Sequence, residues 1–112
     1  MEHLFDPFAA LNETYRTLIN GGRCVFTTPT YEKSTSEQAA HLKLDGSVEV
    51  TGEPEYHGNP QSEDGSLVTW RYGYDLARLI SERTSFNVEV RRWQAPRKAI
   101  IGPMTEVYIL TR

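Results

Sequence analysis

Residues 2–29, EHLFDPFAALNETYRTLINGGRCVFTTP, place a helix, a stop and a strand in immediate succession, and the rest of the chain is read outward from them. Asp6 is an acceptor for orphan helix amides and Pro7 is preset for the first helical position, so a helix is predicted to begin there. Phe8, Leu11, Tyr15 and Leu18 recur at spacings of three and four. They form one apolar stripe, with Asn12, Glu13, Arg16 and Thr17 on the wet side. Gly21-Gly22 supplies a stop signal, and Arg23 to Thr28 follows as a β-prone run closed by Pro29.

After Pro29 the chain turns polar. Ser34-Thr35-Ser36-Glu37 has the form of a capping box, which predicts a short helix through Gln38, Ala39 and Ala40. His41 to Val50, HLKLDGSVEV, alternates on both sides of Asp45-Gly46, a hairpin signal. Opposed residues share a face, so a three-residue loop that sets Leu44 against Val48 and Leu42 against Val50 keeps one side apolar. That register, with a bulge near Gly46, is expected. Thr51 to Ser66 is dense in Gly, Pro and Asn, which predicts a long loop without regular elements. Such a loop is either a lid that meets a ligand or a crossing of the sheet edge.

Leu67 to Trp70 is short and apolar. Gly73-Tyr74-Asp75 then opens a second helix carrying Leu76, Leu79 and Ile80, with Asp75 in its first turn, ending near Thr84. Phe86 to Trp93 alternates as a strand, with Phe86, Val88 and Val90 on one face, and Thr105 to Thr111 forms a final strand.

Glu2-His3, Asp6-Pro7, Gly21-Gly22 and the strand closed by Pro29, in this order and spacing, resemble the middle of a class I S-adenosylmethionine-dependent methyltransferase. Tyr56-His57-Gly58-Asn59-Pro60, the GSL at residues 65–67 and the YGYDL at residues 72–76 are similar to one branch of that family, the type 11-like enzymes. The resemblance covers nearly the whole chain but only the C-terminal half of the family's domain. It implies a truncated Rossmann-like half-domain, with a small mixed sheet, two main helices and an insertion or lid over residues 30–66. In that fold the last two strands are antiparallel partners, and the final one is inserted beside Arg23 to Thr28. It also implies that Glu2 and His3 lie beside the cofactor's methionine end.

Composition sets bounds on this reading. The 112 residues make a single domain, 38% hydrophobic, with a net charge of −3. No basic cluster exceeds Arg91-Arg92 or Arg97-Lys98, so a nucleic-acid surface is not expected. The single Cys24 cannot form an internal disulfide and reads as a small buried hydrophobe. No run approaches the ~20 apolar residues of a membrane span, and the first residues lack a charged segment followed by an apolar one. A cytoplasmic protein is expected.

The candidate site residues are few. No G-x-G-x-G occurs, and Gly21-Gly22 precedes a strand, the reverse of a nucleotide cradle. S-adenosylmethionine binding by this chain alone is therefore not expected, and it requires a completing N-terminal half. Glu2 and His3 are the cofactor-binding candidates by resemblance, although a terminal position favours fraying. His57 and Tyr56 are the catalytic candidates, an imidazole being the usual proton shuttle. Tyr56, His57, Asn59, Trp70 and Tyr72 are candidates for contacting substrate. Trp70 and Tyr72 are equally explained by packing of the second helix. His3, His41 and His57 have no metal-ligand spacing, so no metal site is expected. Three readings of function stand: a methyltransferase-like half, a self-assembling or partner-binding module, and a small independent enzyme using His57 and Tyr56. The Arg23 to Thr28 strand would be left with a free edge, which predicts a homodimer through that edge or a second chain that supplies the missing half.

Overall fold

A computed structural model describes residues 1–112. Helix α1 spans Pro7–Thr17, with Asp6 Oδ1 accepting the Ala9 amide at 2.8 Å and Pro7 in the first turn, as the sequence predicts. Strand β1 (Arg23–Phe26) follows, then the short strands β2 (Glu37–Gln38), β3 (Ala40–Leu42), β4 (Val48–Val50), β5 (Tyr56–Asn59), β6 (Ser62–Leu67) and β7 (Trp70–Arg71). Helix α2 (Leu76–Arg83), β8 (Asn87–Arg92), a 3-10 turn at Pro96–Lys98 and β9 (Glu106–Thr111) complete the chain. The architecture is mixed α/β, and no helix is long and apolar enough to cross a membrane.

The main sheet has the order β1-β9-β8, with β9 antiparallel to both neighbours. The final strand does lie beside the strand that begins at Arg23. The sheet is not mixed, however, because every strand ladder in the molecule is antiparallel. Registers Cys24↔Leu110↔Val88 and Phe26↔Tyr108↔Val90 put these residues on one face. Both helices pack there: Phe8, Leu11, Leu76 and Ile80 join Tyr108, Leu110, Phe86, Trp70 and Tyr72 in one core cluster, against which Tyr15, Leu18, Cys24 and Phe26 lie partly buried. Phe8 meets Trp70, and Tyr15 meets Phe86, edge to face at centroid distances of 5.6 and 5.1 Å. The opposite face carries Val25, Ile109 and Val107 between Glu89 and Arg91, and no helix covers it.

Several local expectations are corrected. Helix α1 ends at Thr17 with an extended Leu18, and the glycine pair belongs to the following turn, which the Gly22 amide closes on the Ile19 carbonyl. The last carbonyls of α1 instead receive the Arg112 guanidinium, which donates to Arg16 and Leu18. The capping-box helix at Ser34 to Ala40 does not form. The Ser36 amide and hydroxyl both donate to Asp75 Oδ1, and Glu37-Gln38 pairs with Arg71 and Trp70. Asp75 is the N-cap residue of α2, but its side chain serves Ser36 and not the helix amides. Gly73 permits this close approach, since a Cβ there would stand 2.6 Å from the Thr35 backbone.

The β3–β4 hairpin has the expected three-residue loop, shifted by one residue. Leu42 faces Val48 and Ala40 faces Val50, leaving Leu44 in the turn and fully exposed. Turn chemistry explains the shift. Gly46 adopts a positive φ of 82° at the third loop position, and Asp45 Oδ1 accepts the Ser47 amide and hydroxyl. Ala40 is buried at the base of the hairpin but nothing covers its turn end, so burial of Leu44 offers nothing against that preference. The expected loop holds over residues 51–55, but from Tyr56 onward the chain forms the β5–β6 hairpin, turning at Pro60-Gln61 with a register shift between His57 and Asn59. Its residues are mostly polar, which left no alternation to read.

Candidate functional site

The first residues are not frayed. The Glu2 carbonyl accepts the amides of Thr69 and Trp70 at 2.7 and 3.1 Å, and the Thr69 hydroxyl donates to the Leu4 carbonyl at 2.7 Å. The Trp70 indole N–H donates to the Phe5 carbonyl at 3.3 Å. Residues 2–5 are thus strapped to the segment between β6 and β7. This places the Glu2 carboxylate beside Thr28, just beyond the C-terminal end of β1, where the Thr28 hydroxyl donates to Glu2 Oε2 at 2.8 Å.

His57, on β5, swings to the same place. His57 Nδ1 lies 3.6 Å from Glu2 Oε1, and His3 Nε2 lies 3.5 Å from that same oxygen. The two imidazoles meet edge to face, with centroids 5.0 Å apart. Behind His57 stands Glu55, whose Oε1 lies 3.4 Å from His57 Nε2 and accepts the Tyr31 hydroxyl at 2.5 Å. Arg71 Nε donates to Glu55 Oε2 at 3.0 Å, and its Nη2 donates to the Glu53 carbonyl at 2.9 Å. Three sequence candidates, Glu2, His3 and His57, therefore converge. Glu2, His3 and His57 each present a possible ligand atom within 4.8 Å of the others, a grouping that the spacing of the histidines in the sequence does not reveal. Sequence spacing fails here because β6 and β7 bring together residues more than fifty positions apart.

The electrostatics follow from these contacts. Burial alone would raise the Glu2 pKa. Hydrogen bonds from its own backbone amide and from Thr28, with the α-ammonium 3.3 Å away, outweigh burial and hold the carboxyl below its usual range. Glu55 is held low by the Tyr31 hydroxyl first, then by Arg71 and His57. Tyr31 is pushed up to about 12 by burial and by its bond to Glu55.

Of the remaining candidates, Tyr56 and Asn59 line one cleft with His57, whereas Trp70 and Tyr72 lie in the core. Tyr56 is exposed on the hairpin, and Asn59 holds its turn, accepting the Gln61 amide and donating to the Ser66 hydroxyl. Trp70 and Tyr72 are core residues, stacked on each other with centroids 6.1 Å apart, and border neither surface cleft. An open cleft of about 310 Å³ runs along β5–β6 beside His57, bordered by Tyr56, Glu63 and Asp64. Cys24 is partly buried and its thiol is pushed up by burial, as a packing role requires. Thr28, Tyr31, Glu55 and Arg71 went unrecognised in the sequence, because no local motif joins them. No protein-family model, curated protein or solved structure matches this chain.

Proposed function

We propose that these residues form the C-terminal half of a truncated Rossmann-like, S-adenosylmethionine-dependent methyltransferase fold. In this reading they do not bind the cofactor or transfer methyl groups without a second segment. The observation that carries the reading is the order β1-β9-β8, in which the last strand of the chain lies between the other two and antiparallel to both. That order is the one the sequence resemblance implies. Two further features support it. Glu2 and His3 sit beyond the C-terminal end of β1, the side on which open α/β sheets bind ligands. The sheet face away from both helices carries Val25, 59% accessible, with Val107 and Ile109 half-buried, which leaves an apolar surface for another segment.

Cofactor binding needs contacts from several loops to offset the entropy of immobilising the ligand, and the 112 residues contain no glycine-rich nucleotide turn. A completing segment would supply that turn and an acid for the ribose. The outer edge of β1, which pairs only with β9, is where it would add, or where a second copy of the chain would pair. Titration calorimetry with S-adenosylmethionine tests the reading. The chain alone should give no saturating heat at micromolar cofactor. The chain joined to a strand, G-x-G-x-G turn and acidic strand end should bind. Saturation by the chain alone overturns its incompleteness, and failure of the joined protein to bind overturns the methyltransferase reading.

A further inference from the structure

We propose that Glu2, His3 and His57 form a binding site for a divalent first-row transition ion of the zinc type. The proposal stands independently of the methyltransferase reading. One donor atom from each residue lies within 4.8 Å of the others, and two of the three separations are 3.5 and 3.6 Å. Donors at ordinary zinc bond lengths on a tetrahedron stand about 3.4 Å apart. The third separation, between the two imidazoles, is no more than 4.8 Å.

The hydrogen bonds around the three residues decide which atoms face inward. His3 Nδ1 is 2.8 Å from the Leu67 carbonyl, an acceptor only, so that nitrogen carries the proton and the Nε2 lone pair points at Glu2. His57 Nε2 lies 3.4 Å from Glu55 Oε1 and its Nδ1 lies 3.6 Å from Glu2 Oε1, so with the proton on the Glu55 side the Nδ1 lone pair is free for a cation beside Glu2. Glu2 Oε2 is occupied by the Thr28 hydroxyl and the α-ammonium, which leaves Oε1 for the histidines. With both imidazoles neutral in these tautomers, three acceptors converge on one point, an arrangement that a cation relieves. The outer partners, a backbone carbonyl on one imidazole and a carboxylate on the other, are those that orient metal-ligating histidines. Glu55 is in turn fixed by Tyr31 and Arg71. Two nitrogens and one carboxylate oxygen favour a transition ion over Ca²⁺ or Mg²⁺, which take oxygen sets. Side-chain accessibilities of 33% for His3 and 32% for His57 leave an open side for entry and for a further ligand.

The test is titration of the chelator-treated chain with Zn²⁺, followed by calorimetry and by the shift in thermal midpoint. One ion per chain is expected, with a raised midpoint at excess Zn²⁺. His57→Ala and His3→Ala should each weaken binding at least tenfold, and Glu55→Gln should weaken it with all three ligands retained. His41→Ala, on the exposed β3, should leave it unchanged. Circular dichroism of the metal-free variants separates lost ligation from lost folding. No binding overturns the site, and so does binding that survives His57→Ala or that His41→Ala removes.

Discussion

Thr69 holds the first residues by both its backbone and its side chain: its amide donates to the Glu2 carbonyl at 2.7 Å, and its single hydroxyl proton is shared between the Leu4 carbonyl at 2.7 Å and the Glu2 carbonyl at 3.1 Å. Thr69 is almost fully buried. Thr69→Val keeps the shape and removes the hydroxyl, leaving the Leu4 carbonyl short of a donor, at an expected cost of about 1–2 kcal/mol. Urea denaturation of the two proteins checks it, and equal midpoints would show that the strap depends on the backbone alone.

The helix α1 stripe makes a graded prediction. Leu11 is 3% accessible within the core, whereas Leu18 only packs against its border. Leu11→Ala should cost about 2–5 kcal/mol, and Leu18→Ala less. Glu13→Ala, on the exposed side, should stay within about 0.5 kcal/mol. A larger loss at Leu18 than at Leu11 would mean that the helix is rotated.

Stability should decline at both ends of the pH scale. The folded-state pKa of Glu55 lies below its ordinary value of 4.5, so its contribution is complete above that value and is lost as pH falls through the folded pKa. Glu2 acts in the same direction. Tyr31 is raised from 10.0 to about 12, so its contribution is present below pH 10 and disappears between there and about 12. Thermal midpoints measured across pH should show a shallower acid limb in Glu55→Gln and a shallower alkaline limb in Tyr31→Phe. Wild-type slopes in both variants would remove these groups from the account.

The free edge of β1 leads to a prediction about association. The strand has no Lys, bulge or internal Pro, and only its inner edge is paired. Two such edges can pair antiparallel across a two-fold axis, and the resulting dimer should bury over ~1,000 Å². Sedimentation at high micromolar concentration should show a dimer, and Val25→Pro, with its circular dichroism retained, should be monomeric. A monomeric wild type ends the proposal, and a dimer that survives Val25→Pro places the interface elsewhere.

The two helices, β1, β8, β9 and the existence of the hairpin at Asp45-Gly46 were legible in the sequence, because each rests on local physics. An Asp-Pro cap, apolar spacing of three and four, alternation, and an Asp-Gly turn act within a few residues and need no partner from afar. What the sequence did not determine was whatever depended on a distant acceptor. Ser36, expected in the first turn of a helix capped by Ser34, instead donates to Asp75, and polar residues 56–67 became a hairpin whose stability lies in cross-strand bonds and not in an apolar pattern. The site lay in the same category. Glu2, His3 and His57 were each visible as single residues, but their meeting depends on the Glu2 carbonyl binding Thr69 and on β5 pairing with β6. Only tertiary hydrogen bonds bring those lone pairs to one point.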